Sequence, residues 1–268
     1  SDEERDDCSG RGGGMWDIMV LSTVNGAANT IWYGKTDGLD TVKNMTQALS
    51  VTAGQTDTVY FYDEASLAEL VKDYTVSGAN GISIVFTHDA ADALTLTGDA
   101  QRFSIKTQAG TAKVAAAASD EASLTYSSDT ALFLGGSGIM VTASGTAGAQ
   151  IRLNNDGVTG QYYLGGLRAA SAAGVTGGNV ILVGSAQASQ GGSVLNGGYG
   201  SQNDYWGGSK AADTFTGRSG IVDVAWFDSG DGADRANGFG KEDKVYLYNT
   251  SSIDRVRVTA SGDDLVIA

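Results

Sequence analysis

The residues best placed to do chemistry are aspartates. Asp204, Asp213 and Asp234 each stand two positions before Trp206, Phe215 and Ala236, and Asp40 stands two before Val42. Asp231 joins this set in the run Gly230-Asp231-Gly232-Ala233-Asp234. An aspartate two residues ahead of an inward apolar side chain lies where a turn becomes a strand. Glycines ahead of it (Gly38, Gly207-Gly208, Gly230, Gly232) free the backbone to aim carbonyl oxygens at the same point. A hard cation that takes roughly six to eight oxygen ligands could bind there, and Ca²⁺ is the expected cofactor. Asp40, Asp204, Asp213, Asp231 and Asp234 are therefore the expected metal ligands. The plainer use of the same residues is to cap turns through side-chain to backbone bonds.

Catalytic sets are hard to assemble. His88 is the only histidine, so there is no H-E-x-x-H pattern and no multi-histidine zinc site. A Ser-His-Asp triad would have to use His88, and Gly136-Ser137-Gly138 lacks the G-x-S-x-G spacing. His88 is expected to be an ordinary polar turn residue. Cys8 is the only cysteine, which excludes an internal disulfide and leaves a surface thiol or an intermolecular bridge. The pairs Gly165-Gly166, Gly177-Gly178 and Gly191-Gly192 lack the G-K-[ST] ending of a phosphate loop. Facing carboxylates for glycoside cleavage stay open, because sequence does not show which acids meet. The expectation is a protein that is not an enzyme. In the pairs Tyr162-Tyr163 and Tyr205-Trp206, strand alternation predicts one ring in the core and its neighbour on the surface rather than a sugar-stacking platform.

Charge narrows the partners. With 17 Lys+Arg against 31 Asp+Glu the net charge is −14, which repels nucleic acid and anionic lipid. No apolar run approaches the ~20 residues of a membrane span; Val180–Val183 is typical of the longest. Nucleic-acid binding and membrane insertion are thus not expected. The first residue is Ser1, not Met, which leads us to expect a processed product whose signal segment is already gone.

The elements that must position these residues are strands. Glycine supplies 39 of 268 residues, about twice its usual ~7%, and proline is absent. That composition suits many tight turns. Short apolar pieces alternate with polar neighbours at steps of mostly seven to eleven residues: Leu94 and Leu96, Phe103 and Ile105, Leu124 and Tyr126, Leu132 and Leu134, Ile139 and Val141, Ile151 and Leu153. One helix is predicted within Glu64–Asp73, where Leu67, Leu70 and Val71 fall at i, i+3, i+4 behind Ser66 or Asp63.

An internal duplication stands out. Trp32-Tyr33, Asp37-Gly38 and Asp40 reappear as Trp226-Phe227, Asp231-Gly232 and Asp234. The same offset pairs Gly26 with Gly220 and Asn29 with Asp223. Downstream, Asp57–Tyr62 (DTVYFY) matches Asp243–Tyr248 (DKVYLY), and each copy closes on an apolar strand, Ile82–Phe86 or Leu265–Ile267. Trp206, Phe215 and Val224 are nine apart, as are Asp204 and Asp213. With Gly197-Gly198-Tyr199-Gly200 and Ser229–Ala236, this resembles the RTX (haemolysin-type) nonapeptide G-G-x-G-x-D-x-U-x, U being a large apolar residue.

The resemblance implies a parallel β-roll with Ca²⁺ between turns, U side chains in the core, and secretion to the surface of a bacterium. The predicted fold is all-β, a β-solenoid or β-roll with RTX-like turns and a sandwich-like middle. Its expected divisions are a flexible arm (1–14), an N-terminal RTX-like module (15–86), a β-rich middle (87–194) and a C-terminal RTX-like module (195–268). The expected role is an extracellular structural protein that assembles with itself into a surface layer or filament, depends on calcium and can meet cell-surface polysaccharide. Two alternatives stand beside it: the repeat and secretion module of a larger type I-secreted adhesin or enzyme, and a β-helix protein that binds or cleaves polysaccharide.

Overall fold

The computed structural model describes residues 7–9, 16–21, 28–45, 56–78, 83–98, 103–117, 123–186, 191–208, 210–249, 257–261 and 264–267. These residues are nearly all β, with 25 strands and one helix, Leu67–Asp73. The helix starts where Ser66 Oγ accepts the Glu69 N–H, buries Leu70, and stops as Tyr74 becomes extended.

In the C-terminal half, six strands form one sheet: Ser123–Thr125, Met140–Gly145, Ala169–Val175, Val194–Asn196, Thr214–Thr216 and Arg235–Asn237. Five form a second: Ala149–Arg152, Asn179–Val183, Gln202–Trp206, Val222–Phe227 and Lys244–Leu247. Every neighbouring pair in both sheets is parallel. Parallel neighbours cannot be joined by a tight hairpin and need a crossover. Here the crossover is itself a strand of the other sheet, since from Ala169 onward the chain visits the two sheets alternately.

The core of this half repeats every ten residues, not nine. Leu195, Tyr205, Phe215 and Ala225 are ten apart and all are buried. Trp206, expected in the core from the nine-residue rhythm, is on the outer face instead, and Tyr205 is the inward ring at 0% exposure. Alternation forces this choice, because adjacent residues of a strand face opposite ways. Tyr60 and Trp226 are half-buried and Tyr246 is exposed, whereas Phe215 is in the core.

The N-terminal half follows the same plan. Asp7–Ser9, Thr30–Tyr33, Thr58–Phe61 and Ser104–Thr107 are parallel neighbours in one sheet. Ile18–Val20, Leu39–Met45 and Ala93–Gly98 are parallel in another, which continues antiparallel through Ser83–Thr87 and Thr75–Ser77. Part of the expected N-terminal arm is therefore a strand; the rest lies outside the described residues.

A hairpin joins the halves. Gly110–Ala116 turns back antiparallel on Ser104–Thr107, and Leu132–Leu134 and Tyr162–Leu164 then extend the same sheet to seven strands. That sheet separates two cores. Val114, Ala116, Leu132, Leu134 and Leu164 pack with the N-terminal residues. Phe133 and Tyr163, stacked at 4.9 Å, belong to the other core. Leu132, Phe133 and Leu134 are all 0% exposed, a strand buried on both faces.

Candidate functional site

A polar residue stands two positions before an inward apolar one at the start of strand after strand: Asn29 before Ile31, Asp40 before Val42, Asp57 before Val59, Asn203 before Tyr205, Asp213 before Phe215 and Asp223 before Ala225. Five carboxylates take one job, while Asn203 Oδ1 and Asp223 Oδ2 accept the Gly198 and Arg218 N–H groups of their own loops. Asp57 Oδ1 accepts the Asn29 N–H at 3.0 Å, Asp40 Oδ1 the Asp17 N–H at 3.2 Å, Asp234 Oδ1 the Asp213 N–H at 3.0 Å and Asp243 Oδ1 the Asp223 N–H at 2.8 Å. Asp213 Oδ1 likewise accepts from Ser193 N. Each carboxylate thus reaches one strand back and satisfies an N–H at the mouth of the ladder, a charge-assisted bond.

This use occupies one oxygen of each group. Asp213 is 1% exposed, and its Oδ2 has no hydrogen-bond partner among the described residues; the same holds for Asp234 Oδ2 and for Asp40 Oδ2. Asp213 and Asp234 are brought together on adjacent strands. Both Oδ2 atoms press against Gly207, where a Cβ would collide with the first and stand 3.2 Å from the second. Only a glycine leaves that space open. Burial, with Asp234 as the nearest raising charge, pushes the Asp213 carboxyl up to about 7. Burial and then Asp231 push Asp234 up to about 6. Burial also raises Asp40 to about 6, with Asp17, Asp37 and Asp92 adding to it. A buried acceptor without a donor is costly, so each of these oxygens calls for a proton or a cation. Two carboxylate oxygens that lack a donor are of the type that a hard cation takes.

The other expected ligands are elsewhere. Asp204 lies on the outward side of the second sheet, where it accepts from Gln202 Nε2 at 3.1 Å and Trp226 Nε1 at 3.2 Å. Asp231 holds its own turn, accepting from Asp228 N at 2.7 Å and Tyr248 Oη at 3.1 Å. His88, Asp89 and Asp92 bring ligand atoms within 4.8 Å of one another at a hairpin tip. There Asp89 Oδ1 takes the N–H groups of Ala91 and Asp92, and Asp92 Oδ1 takes that of Gly38. Cys8 falls in a strand of whose side chains nothing is described.

Aromatic side chains line the outer face of the second sheet. Trp206 and Trp226 stack at 5.0 Å, and Trp226 and Tyr246 at 4.6 Å. Their faces cover one another, so the ladder offers ring edges along its side and a free ring face only past Tyr246, which is 46% exposed. In both aromatic pairs one ring is core and its neighbour is less buried, Tyr163 and Tyr205 being the inward members.

Sequence reasoning missed Asp17, the partner of Asp40, because the strand-to-strand step from Ile18 to Thr41 is two residues longer than that from Thr214 to Arg235. Asn203, Asp223 and Asp243 were missed as a set although they stand twenty apart, a period that a search at ten would have found. No protein-family model, no curated protein and no solved structure matches the chain.

Proposed function

We propose that this chain is a structural protein, a β-solenoid with RTX-like turns that assembles head to tail with copies of itself outside a bacterial cell, and that it is not an enzyme. One observation carries the reading. Both ends of the strand stacks finish on strands that pair on one side only among the described residues, and both expose apolar side chains. At one end are Trp16, Ile18 and Val20, each more than 60% exposed; at the other are Val245 and Tyr246, each more than 40%. An unpaired strand edge is a template for another chain. A contact between two different ends is heterologous, and it grows into a filament when the rotation does not close.

Thr58–Phe61, the first copy's counterpart of Lys244–Leu247, does not serve as a contact strand, because it has neighbours on both sides. Lys244–Leu247 does. Divalent cation between Asp213 and Asp234, and at Asp40, would favour the same assembly by neutralising carboxylates in a chain of net charge −14. The self-stacked Trp206–Trp226–Tyr246 rings favour a neighbouring copy over a sugar as the occupant of the end face.

Light scattering and electron microscopy of the protein, with chelator and with millimolar Ca²⁺, test the proposal. Mass growing with concentration in Ca²⁺, and its loss in Val245→Glu and in Ile18→Glu, are expected. A strictly monomeric mass under all conditions overturns it in favour of a secretion module.

A further inference from the structure

We propose that Lys35 and Asp73 become joined by an amide bond between their side chains, with Glu64 as the residue that relays the proton. The inference is independent of the assembly reading. Two turns and the end of the helix meet at this point. Lys35 follows the strand Thr30–Tyr33, and its backbone N–H is fixed by Asp63 Oδ2 at 2.8 Å. Glu64 follows Thr58–Phe61, its N–H bonded to the Phe61 carbonyl and its own carbonyl accepting from Gln108 N. Asp73 is the last helical residue, anchored by the buried Tyr74 beside it. Lys35 Nζ lies 2.9 Å from Glu64 Oε1 and in contact with Asp73 Oδ2.

The burial of the three groups differs in a way that assigns their parts. The Glu64 side chain is 1% exposed, that of Asp73 33% and that of Lys35 28%. Burial pushes the Glu64 carboxyl up, opposed by Lys35. Hydrogen bonds to Asp73 and Glu64 hold the Lys35 ammonium up, so it keeps its proton against solvent, and the transfer is made directly to Glu64 Oε1 at 2.9 Å. The free amine then attacks the Asp73 side-chain carbonyl carbon. The new C–N bond forms as a C–O bond breaks; Glu64 delivers to the departing oxygen the proton that it took from the ammonium, the attacking nitrogen gives up a second one by the same route, and the oxygen leaves as one water through the partly open side where Asp73 stands. Nothing is oxidised or reduced. One ammonium and one carboxylate become a neutral amide and water, which also removes a partly buried ion pair that desolvation disfavours. Holding amine and acid together supplies the effective concentration that such a condensation needs.

The second copy of the duplication carries Ser229 and Thr250 at the places of Lys35 and Glu64, so the triad belongs to the first alone. With Cys8 its only cysteine, the chain has no internal disulfide, and the amide would be its covalent brace, tying the helix to the first turn.

Intact mass under denaturing conditions decides the matter. The wild-type protein should be lighter by one water than its sequence, and fragmentation should yield a branched peptide joining residues 35 and 73. Glu64→Gln and Lys35→Arg should both have full mass. If Glu64→Gln does not fold, the wild type and Lys35→Arg still answer the question. Full mass in wild-type protein after prolonged incubation overturns the proposal. So does a water loss that maps to Asp37-Gly38 as a cyclic imide and survives in Lys35→Arg.

Discussion

The two copies of the duplicated segment make the same contacts and end in different surroundings. Trp32 packs on Tyr60 in the first copy and Trp226 on Tyr246 in the second, both at 4.6 Å, the first edge-to-face and the second stacked. Tyr62 Oη donates to Asp37 as Tyr248 Oη donates to Asp231. Asp57 takes the Asn29 N–H as Asp243 takes that of Asp223, and the Asp17–Asp40 pair has its counterpart in Asp213–Asp234. What lies beyond differs. In the first copy the Ser104–Thr107 strand continues the sheet, Lys106 sits 4.5 Å over the Tyr60 ring, and Phe61 packs against Tyr74 and Phe86. In the second, Val245 and Tyr246 are exposed. Turn chemistry thus sets the strand-to-strand step, while residues outside the motif decide whether a stack is covered or left open.

The largest expected effect separates the copies at their cores. Phe61 is 0% exposed among three aromatic rings, and Phe61→Ala should destabilise by about 3–5 kcal/mol in chemical denaturation. Its counterpart Leu247 is only half-buried, and Leu247→Ala should cost no more than about 1 kcal/mol. Equal losses would mean that the open end is as well packed as the covered one, which would remove the contrast.

The next effect concerns the buried carboxylates. Asp213 titrates at about 7 in the native state against an ordinary 3.8, so between those values the folded protein holds a proton that the unfolded chain has lost. Stability of the metal-free protein therefore falls as pH rises from about 4 to about 7, at up to ~1.4 kcal/mol per pH unit for this group. Asp213→Asn should flatten that slope and raise stability at pH 8 in chelator by about 1–3 kcal/mol, the weaker, uncharged bond from Ser193 N offsetting part of the gain. Added Ca²⁺ should raise the melting temperature of the wild type at pH 8 and leave Asp213→Asn nearly unmoved. Asp40→Asn in the first copy should act in the same direction and less strongly, because Asp40 is raised only to about 6. A melting curve unaffected by pH and by Ca²⁺ would leave these oxygens without either ligand.

The strand content, the helix at Leu67–Asp73, the duplication and the D-x-apolar pattern could be read from the sequence, because each is a local feature of type and spacing. The ten-residue period was misread as nine for a physical reason. Tyr205 and Trp206 are adjacent aromatics, either of which suits a core, and choosing the outward one shifts the count by one residue. The strand Leu132–Leu134 read as half-buried because its neighbour Phe133 faces a second core that no local pattern announces. The Asp213–Asp234 pair lay within the expected ligands, but Asp204 and Asp231 were grouped with it although one faces outward and the other caps its own turn. Lys35, Glu64 and Asp73 stayed hidden because two separate turns and a helix end deliver them.

The smallest effect tests whether the two turns are energetically alike. Tyr62 Oη donates to Asp37 at 2.7 Å, and Tyr248 Oη donates to Asp231 at 3.1 Å. Asp37 is 7% exposed and its other oxygen already takes the Gly34 N–H, so no water can easily replace the lost hydroxyl in Tyr62→Phe. Burial has already pushed the Asp37 carboxyl up, with Tyr62 the first influence holding it down. Removing that donor should raise it further and cost about 1–2 kcal/mol, within the range for a hydrogen bond to a charged group. Asp231 is half-exposed, so water can take the place of the Tyr248 hydroxyl, and Tyr248→Phe should cost about 0.5 kcal/mol. The difference should shrink as pH falls, because a protonated Asp37 no longer needs the donor. Paired denaturation curves at pH 4 and pH 8 would show this. A Tyr248→Phe loss equal to that of Tyr62→Phe at pH 8 would mean that the C-terminal turn is shielded from water by something beyond the described residues, such as a neighbouring copy.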